Sequence, residues 1–474
     1  MNKASQFTAC VVLAYILLIV IVMHGGQLGP DTYYYWQWSR HLDWSYYDGP
    51  PMIAYAMRFM TFLFGNAELG LLSLGLSAVV ITSYFIYQTG RRLFDSDHVA
   101  SIAVMIWLSG LVAMRHFFLL ITYDTTLVIF WSATYYFLLQ VLLTKKARYY
   151  YLCGVSVGLM MLSKYTTALL GGSMLLTCAL YPSYRFIFRS KHLYFGLLIS
   201  FVLFSPVLYW NMRHDWISFS YQLNKGVAGY FDPIDGIKTY LQSTMINFNF
   251  YFAALLFILF LHGKRIFSNS RLGFVAIPTV CVWVFFFLCS VKSVPVNGDS
   301  WNSECFLSAS LLLGFYFAKI AKRWILYGLI FVGFVPALLY LLMSRFPEIN
   351  PLPGWSRVYA SEALLRDIPE GLYANKVIYH DGQYWLSSFI TYYLPSHPMV
   401  YSTNFTQGNQ YYFWNRLYQP VKSGEKIILF STHPVITDMH YQGCQLLMQK
   451  SELQKNYFKS NAQWNLYVFD CVYR

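Results

Sequence analysis

Two carboxylates, Asp31 and Asp48, stand within eighteen residues of each other in a segment crowded with aromatic side chains. Rings such as Tyr34, Tyr35 and Tyr47 can stack on the face of a sugar, and carboxylates beside them can hold its hydroxyls. Taken singly, each acid could be a helix cap and each ring a membrane anchor. Together they make a constellation suited to chemistry. A third carboxylate, Asp124, follows in Thr122-Tyr123-Asp124. It can cap a helix, or it can act as an ionisable group at the edge of a bilayer, where such groups are costly and usually functional. Lys164 interrupts the apolar stretch around Leu162. It either snorkels toward water or holds an anion.

The chain that must position these residues is built for lipid. Of its 474 residues 57% are hydrophobic and only 12% charged, with a mean hydropathy of +0.42. Soluble proteins carry about twice that charge fraction. One compact core could not hide so much apolar surface, so the bilayer is the solvent for much of the chain. Disorder, coiled coil and collagen are excluded. The aromatic share, 20%, suits membrane interfaces and a sugar-facing surface. The net charge of +13 follows from the loops and implies no nucleic acid. The cysteines form no CxxC pair and no metal-ligand spacing.

Apolar runs near 7–23, 69–90, 99–120, 125–143, 149–163, 165–181, 193–211, 239–262, 272–290, 305–319 and 324–344 predict eleven membrane helices. With the N-terminus inside, fifteen Lys and Arg fall in short inner loops and eight in longer outer ones. The bias predicts a cytoplasmic N-terminus and an extracytoplasmic C-terminus. Acids before residue 345 point the other way: Asp95 and Asp97 are inner, whereas ten, from Asp31 to Glu304, are outer. In the first outer loop, 31–42 reads as an interfacial helix with its rings at headgroup depth. Pro50 and Pro51 suit the first turn of a second, 51–64, ending at Gly65. After residue 344 the texture changes. A Pro-rich linker leads into strand-like runs at 376–379, 398–402, 426–431 and 464–472, with helix-like stretches at 358–367 and 383–394. The organisation is therefore a transmembrane domain, 1–344, followed by an extracytoplasmic α/β domain, 345–474.

Asp31-Thr-Tyr-Tyr-Tyr-Trp36 followed by Tyr46-Tyr47-Asp48-Gly-Pro50-Pro51 resembles the first-loop signature of bacterial family-39-type glycosyltransferases. These are relatives of protein O-mannosyltransferases and of the lipid A aminoarabinose transferase. Thr122-Tyr-Asp124, Ser163-Lys164-Tyr165-Thr166, Trp210-Asn211-Met-Arg213-His214-Asp-Trp216 and Gln407-Gly-Asn-Gln410-Tyr-Tyr-Phe-Trp414 follow in the family's order. The chain departs from the usual pattern twice. It has Thr32 where the family commonly carries Glu, and Gly49 where it often carries His. A role for metal is therefore left open, and no cofactor is certain.

The resemblance implies a mostly α, polytopic GT-C fold with its active site on the outer face of a bacterial inner membrane. It implies an inverting glycosyltransferase that takes a sugar from a polyprenyl-phosphate donor. Loss of a lipid phosphate calls for cations, and Lys164, Arg213, Arg115 and Lys225 are the candidates. The acceptor hydroxyl needs a base, for which Asp31 is the first choice, with Asp48 and Asp124 shaping the site. Tyr34, Tyr35, Tyr47, Tyr165 and Trp301 would contact sugar or lipid. The acceptor reads as lipid A, lipopolysaccharide or another glycolipid, with a protein as the alternative. A flippase would instead show charges and broken helices near the midplane in two related halves. Cys444 and Cys471, the two cysteines after residue 344, read as a disulfide in an oxidising compartment.

Overall fold

In this computed structural model the described residues are 3–23, 28–227, 232–292, 304–346, 364–365, 367–381, 384–402, 408–418, 421–434, 436, 441–454 and 462–473. They divide into two compact units. The first holds 1–24, 43–45 and 49–341, and the second 25–42, 46–48 and 342–474.

The helices are α1 (Lys3–Met23), α2 (Pro30–Arg40), α3 (Met52–Phe64), α4 (Glu68–Phe94), α5 (Asp97–Ser109), α6 (Leu111–Met114), α7 (Tyr123–Thr144), α8 (Ala147–Met161) and α9 (Thr167–Leu180). They continue as α10 (Lys191–Arg213), α11 (Ile217–Val227), α12 (Pro233–Phe248), α13 (Phe250–Ser268), α14 (Ser270–Lys292), α15 (Glu304–Phe317) and α16 (Arg323–Arg345). All but α2 and the last turn of α16 lie in the first unit.

Among the described residues seven of these helices are long and apolar enough to cross a membrane: α1, α4, α7, α10, α13, α14 and α16. An eighth span is a broken one. α5 and the stretch Leu111–Leu119 meet at a 62° bend after Ser109, and Arg115–Leu119 is π-helical. Of the eleven expected spans, seven, or eight with the bent pair, are long and apolar enough by themselves among the described residues. The runs at 149–163, 165–181 and 305–319 form helices of 15, 14 and 14 residues, short of the ~20 that a span needs. The run at 239–262 is divided by Asn249, whose φ of 47° ends α12. Its side chain then accepts from Tyr251 N to start α13. Rings and aliphatic side chains such as Phe260, Phe331 and Leu288 stand exposed on these helices, as a lipid-facing surface requires.

Local chemistry sets the helix ends near the candidate residues. Thr122 accepts from the backbone at the start of α7 while Thr125 reaches back to the Thr122 N–H, a capping box that fixes Asp124 in the first turn. Pro51 precedes α3, and Gly65, at φ 81°, ends it. Met52 N donates to Leu162 O at 2.9 Å, tying α3 to the turn that carries Lys164.

The second unit is a five-stranded sheet with helices packed on it. Its strands are β1 (Val377–His380), β2 (Val400–Ser402), β3 (Lys426–Ser431), β4 (Tyr441–Gln454) and β5 (Ala462–Tyr473). The spatial order is β2-β1-β3-β5-β4. The first three strands are parallel and the last two pair antiparallel. Ile427, Leu429, Tyr379 and Phe469 form a buried core. Two helices, α17 (Tyr384–Tyr393) and α18 (Gln410–Tyr418), connect the strands. Cys444 on β4 and Cys471 on β5 are joined by a disulfide with Cα atoms 4.1 Å apart.

Helix α2, drawn from the first loop, belongs to this unit. Tyr33 packs edge-on to Phe389 of α17 at 5.1 Å, and Trp36 does the same to Tyr392 at 5.0 Å. Tyr33 Oη and Tyr393 Oη share a hydrogen bond of 2.9 Å. Tyr33, Trp36 and Trp38 have no exposed surface. The rings expected at headgroup depth are thus core residues. Of the helix expected at 358–367, residues 358–363 and 366 lie outside the described residues.

Candidate active site

The first unit gathers three charged side chains on three elements. Lys164, in the turn between α8 and α9, donates to Asp124 Oδ1 at 2.7 Å and to Glu304 Oε1 at 3.0 Å. Thr166 Oγ1 donates to the same Glu304 oxygen at 2.8 Å, and Thr122 Oγ1 to Asp124 Oδ2 at 3.3 Å. The Lys164 side chain is 13% exposed, Asp124 6% and Glu304 1%. Burial alone would pull the Lys164 ammonium toward neutrality. Asp124 and Glu304 outweigh it and hold the ammonium more firmly protonated than a free lysine. Charges this buried persist only when paired and hydrogen-bonded. Among the described residues Glu304 Oε2 is buried and has no hydrogen-bond partner. It is an acceptor left for a further donor.

Tyr165, next in sequence, lies half-buried in the same unit. Its hydroxyl shares hydrogen bonds with Ser218 at 2.9 Å and Ser45 at 3.3 Å. Its ring packs on Phe219 at 4.6 Å. Arg115 opens the π-helical segment, half-buried, and Arg213 ends α10, exposed. Lys225 lies in α11, but its side chain falls outside the described residues, as does all of Trp301.

In the second unit, Asp48 accepts from Tyr34 Oη at 3.0 Å. Tyr34 Oη in turn accepts from Gln410 N at 2.8 Å, and Gln410 Oε1 accepts from Tyr47 N at 2.8 Å. This relay joins the first loop to α18. Tyr34 is 1% exposed, Tyr35 4% and Asp48 7%, while Tyr47 is half-buried. Burial, then the Asp48 charge and Tyr384, push the Tyr34 phenol well above its usual pKa, so it stays a donor. Asp31 sits in the first turn of α2, where Gly29 is the N-cap. A carboxylate there is favoured by the helix dipole. Of the segment Gln407–Trp414, Gln407 lies outside the described residues.

The structure therefore brings Asp124 together with Lys164, and Asp48 together with Tyr34. It also adds residues that the sequence reading gave no role. Glu304 had been counted only as an outer acid. Its signal was an ionisable group opening an otherwise apolar helix. Among the described residues no three His, Cys, Asp or Glu side chains gather as a metal-ligand set.

Over 98% of its length the chain superimposes on 97% of ArnT from Cupriavidus metallidurans bound to undecaprenyl phosphate, with a TM-score of 0.73 at 14% identity. The chain has the GT-C fold. Further afield in the GT-C fold, the oligosaccharyltransferase AglB from Archaeoglobus fulgidus, in complex with an inhibitory peptide and a dolichol-phosphate, matches 91% of the chain and 70% of its own. Its TM-score is 0.51 at 11% identity. Residues 48–210 match the family described as dolichyl-phosphate-mannose-protein mannosyltransferase. A lipid A galacturonosyltransferase, RgtD, from Rhizobium johnstonii is 27% identical over 209 residues, 43% of this chain and 43% of that one. The matched region thus spans less than half the length of that relative. The GT-C match runs over both compact units, and the family match takes in Asp48, Asp124 and Lys164.

Proposed function

We propose that this protein is an inverting membrane glycosyltransferase that moves a sugar from a polyprenyl-phosphate donor to a glycolipid of the cell envelope. The observation that carries the reading is the full-length likeness to ArnT, a protein solved with undecaprenyl phosphate. The name of the sequence relative, a lipid A galacturonosyltransferase, supports a lipid acceptor. The protein works in a bacterial inner membrane, with its N-terminus cytoplasmic and the reaction on the outer face.

In the reaction an acceptor hydroxyl attacks the anomeric carbon, the bond from that carbon to the phosphate oxygen breaks, and polyprenyl phosphate leaves. Asp31 takes the hydroxyl proton. Lys164, Arg115, Arg213 and Lys225 are assigned to the charge on the departing phosphate. An ammonium has three hydrogens. Two of those on Lys164 bind Asp124 and Glu304, which orients the third for an anion. Asp48 and Asp124 hold sugar hydroxyls, Tyr47, Tyr165 and Trp301 supply stacking surface, and the buried Tyr34, with Tyr35 packed on it, positions Asp48 through its hydroxyl.

A second reading, transfer to a protein hydroxyl, is favoured by the family description that residues 48–210 match. Incubation of the purified protein with radiolabelled polyprenyl-phosphate sugar separates these outcomes. Label appearing on lipid A or another glycolipid supports the proposal, and label on protein supports the second reading. Translocation of intact donor without cleavage would replace both with a flippase.

A further inference from the structure

The helices α7, α8, α9 and α10 leave a narrow apolar cleft between them, of about 90 Å³ and open along one side. Leu138, Val141, Val157, Met174, Leu175 and Leu197 supply its apolar wall. Of its lining hydroxyls, those of Thr134 and Ser200 are turned to the protein. Thr134 donates to Phe130 O, and Ser200 donates to Gly154 O. The back of the cleft is closed where α8 crosses α10 at Gly154 and Gly196. A Cβ on Gly154 would come within 2.3 Å of the Gly196 carbonyl, so only glycine permits the crossing. Gly171, on the α9 side, differs: a Cβ there would meet nothing within 4 Å.

Bases cluster in the sequence beside the lining residues at one end of the four helices. Val141 lies one helical turn before Lys145 and Lys146, and Tyr150 lies two residues after Arg148. Ile187 lies between Arg185 and Arg189, and Leu193 two residues after Lys191. All six bases are exposed. The Lys145 ammonium stands 4.6 Å over the Phe186 ring, which draws the end of α7 to the segment Arg185–Arg189. No Asp or Glu occurs anywhere from residue 125 to 214. An apolar slot between helices with an unneutralised basic rim matches one kind of molecule, a lipid with hydrocarbon below and negative charge above.

We propose that this cleft is a binding site for an anionic phospholipid of the bilayer, with an acyl chain between α7, α8, α9 and α10 and the headgroup on the rim formed by 145–148 and 185–191. The site is independent of the transfer reaction. It is tested with the full-length protein reconstituted in vesicles of equal parts phosphatidylglycerol and phosphatidylethanolamine, reading retained lipid by native mass spectrometry after mild detergent extraction. The wild type retains phosphatidylglycerol in preference to phosphatidylethanolamine. Gly171→Leu, at a position where an added Cβ meets nothing within 4 Å, projects into the slot and abolishes retention at unchanged thermal stability. Lys146→Gln and Arg189→Gln, both on the surface, weaken retention by about fivefold each, as loss of ~1 kcal/mol per base implies. Equal retention of the two lipids, or retention unaffected in all three variants, overturns the proposal. Displacement of phosphatidylglycerol by added undecaprenyl phosphate, with Gly171→Leu blocking both, also overturns it and assigns the cleft to the carrier lipid.

Discussion

Lys164 Nζ and Glu304 Oε1 lie 3.0 Å apart, a contact that ties the turn after α8 to the first residue of α15. With Asp124 on its other side, Lys164 lies between two buried acids. Its removal leaves like charges facing each other, a loss of about 3–5 kcal/mol by the measure of other buried pairs. Lys164→Met should therefore lower the melting temperature in detergent sharply. Glu304→Gln, which keeps an acceptor for Thr166 and Lys164, should cost clearly less. The reverse order would mean that the lysine charge is not what holds the cluster.

Asp31→Asn should reduce transfer by ~10²–10⁴-fold, the usual worth of a general base, with expression and melting unchanged. Single-turnover kinetics with saturating donor is the measurement. Retention of most of the turnover would move the base elsewhere, with Asp124 the next residue to test.

The Cys444–Cys471 bond closes a loop across 27 residues. In the chain-entropy account a loop of that length is worth roughly 3 kcal/mol. Reductant, or Cys444→Ser, should speed amide hydrogen exchange along β4 and β5. Recovery of both residues as free thiols from protein isolated under oxidising conditions would remove the premise.

His380 on β1 is wholly buried, and its pKa is pushed down to about 3, by burial first and by His433 second. An unfolded histidine titrates near ~6.5. Between those values the unfolded chain binds a proton that the fold refuses, so stability is complete above ~6.5 and falls as the pH drops. The slope reaches about 1.4 kcal/mol per pH unit for this one group. Hydrogen exchange in β1 and β3 should show protection lost on acidification, and His380→Gln should flatten that loss. A pH profile identical in the variant would discharge His380 from the effect.

Much of this was legible in the sequence. The long apolar runs at 69–90, 125–143, 193–211, 272–290 and 324–344 each contain one of the observed helices or most of it, because hydropathy over ~20 residues answers to the thickness of the bilayer. The strands at 377–380, 400–402, 426–431 and 462–473 followed from β-rich runs bounded by turn residues. The break at Asn249 was hidden, since an apolar run continues on both sides and only a positive φ reveals the division. Lys164 and Asp124 were suspected singly. Their pairing with Glu304 joins residues 124, 164 and 304, which no local pattern connects. The rings of α2 were misread for the same reason. Composition alone cannot tell a tyrosine that meets lipid from one that meets Tyr392.

Helix α2 also has a history in time. Residues 30–40 leave the ribosome well before Tyr384–Tyr393, on which they pack, and all the described membrane helices but α1 lie between the two. At ~5–20 residues per second, a segment bearing Tyr33, Trp36 and Trp38 must wait on the order of half a minute for its partner. During that interval its rings have no protein surface to cover them. The packing of α2 on α17 is therefore completed only after the last membrane helix has been made.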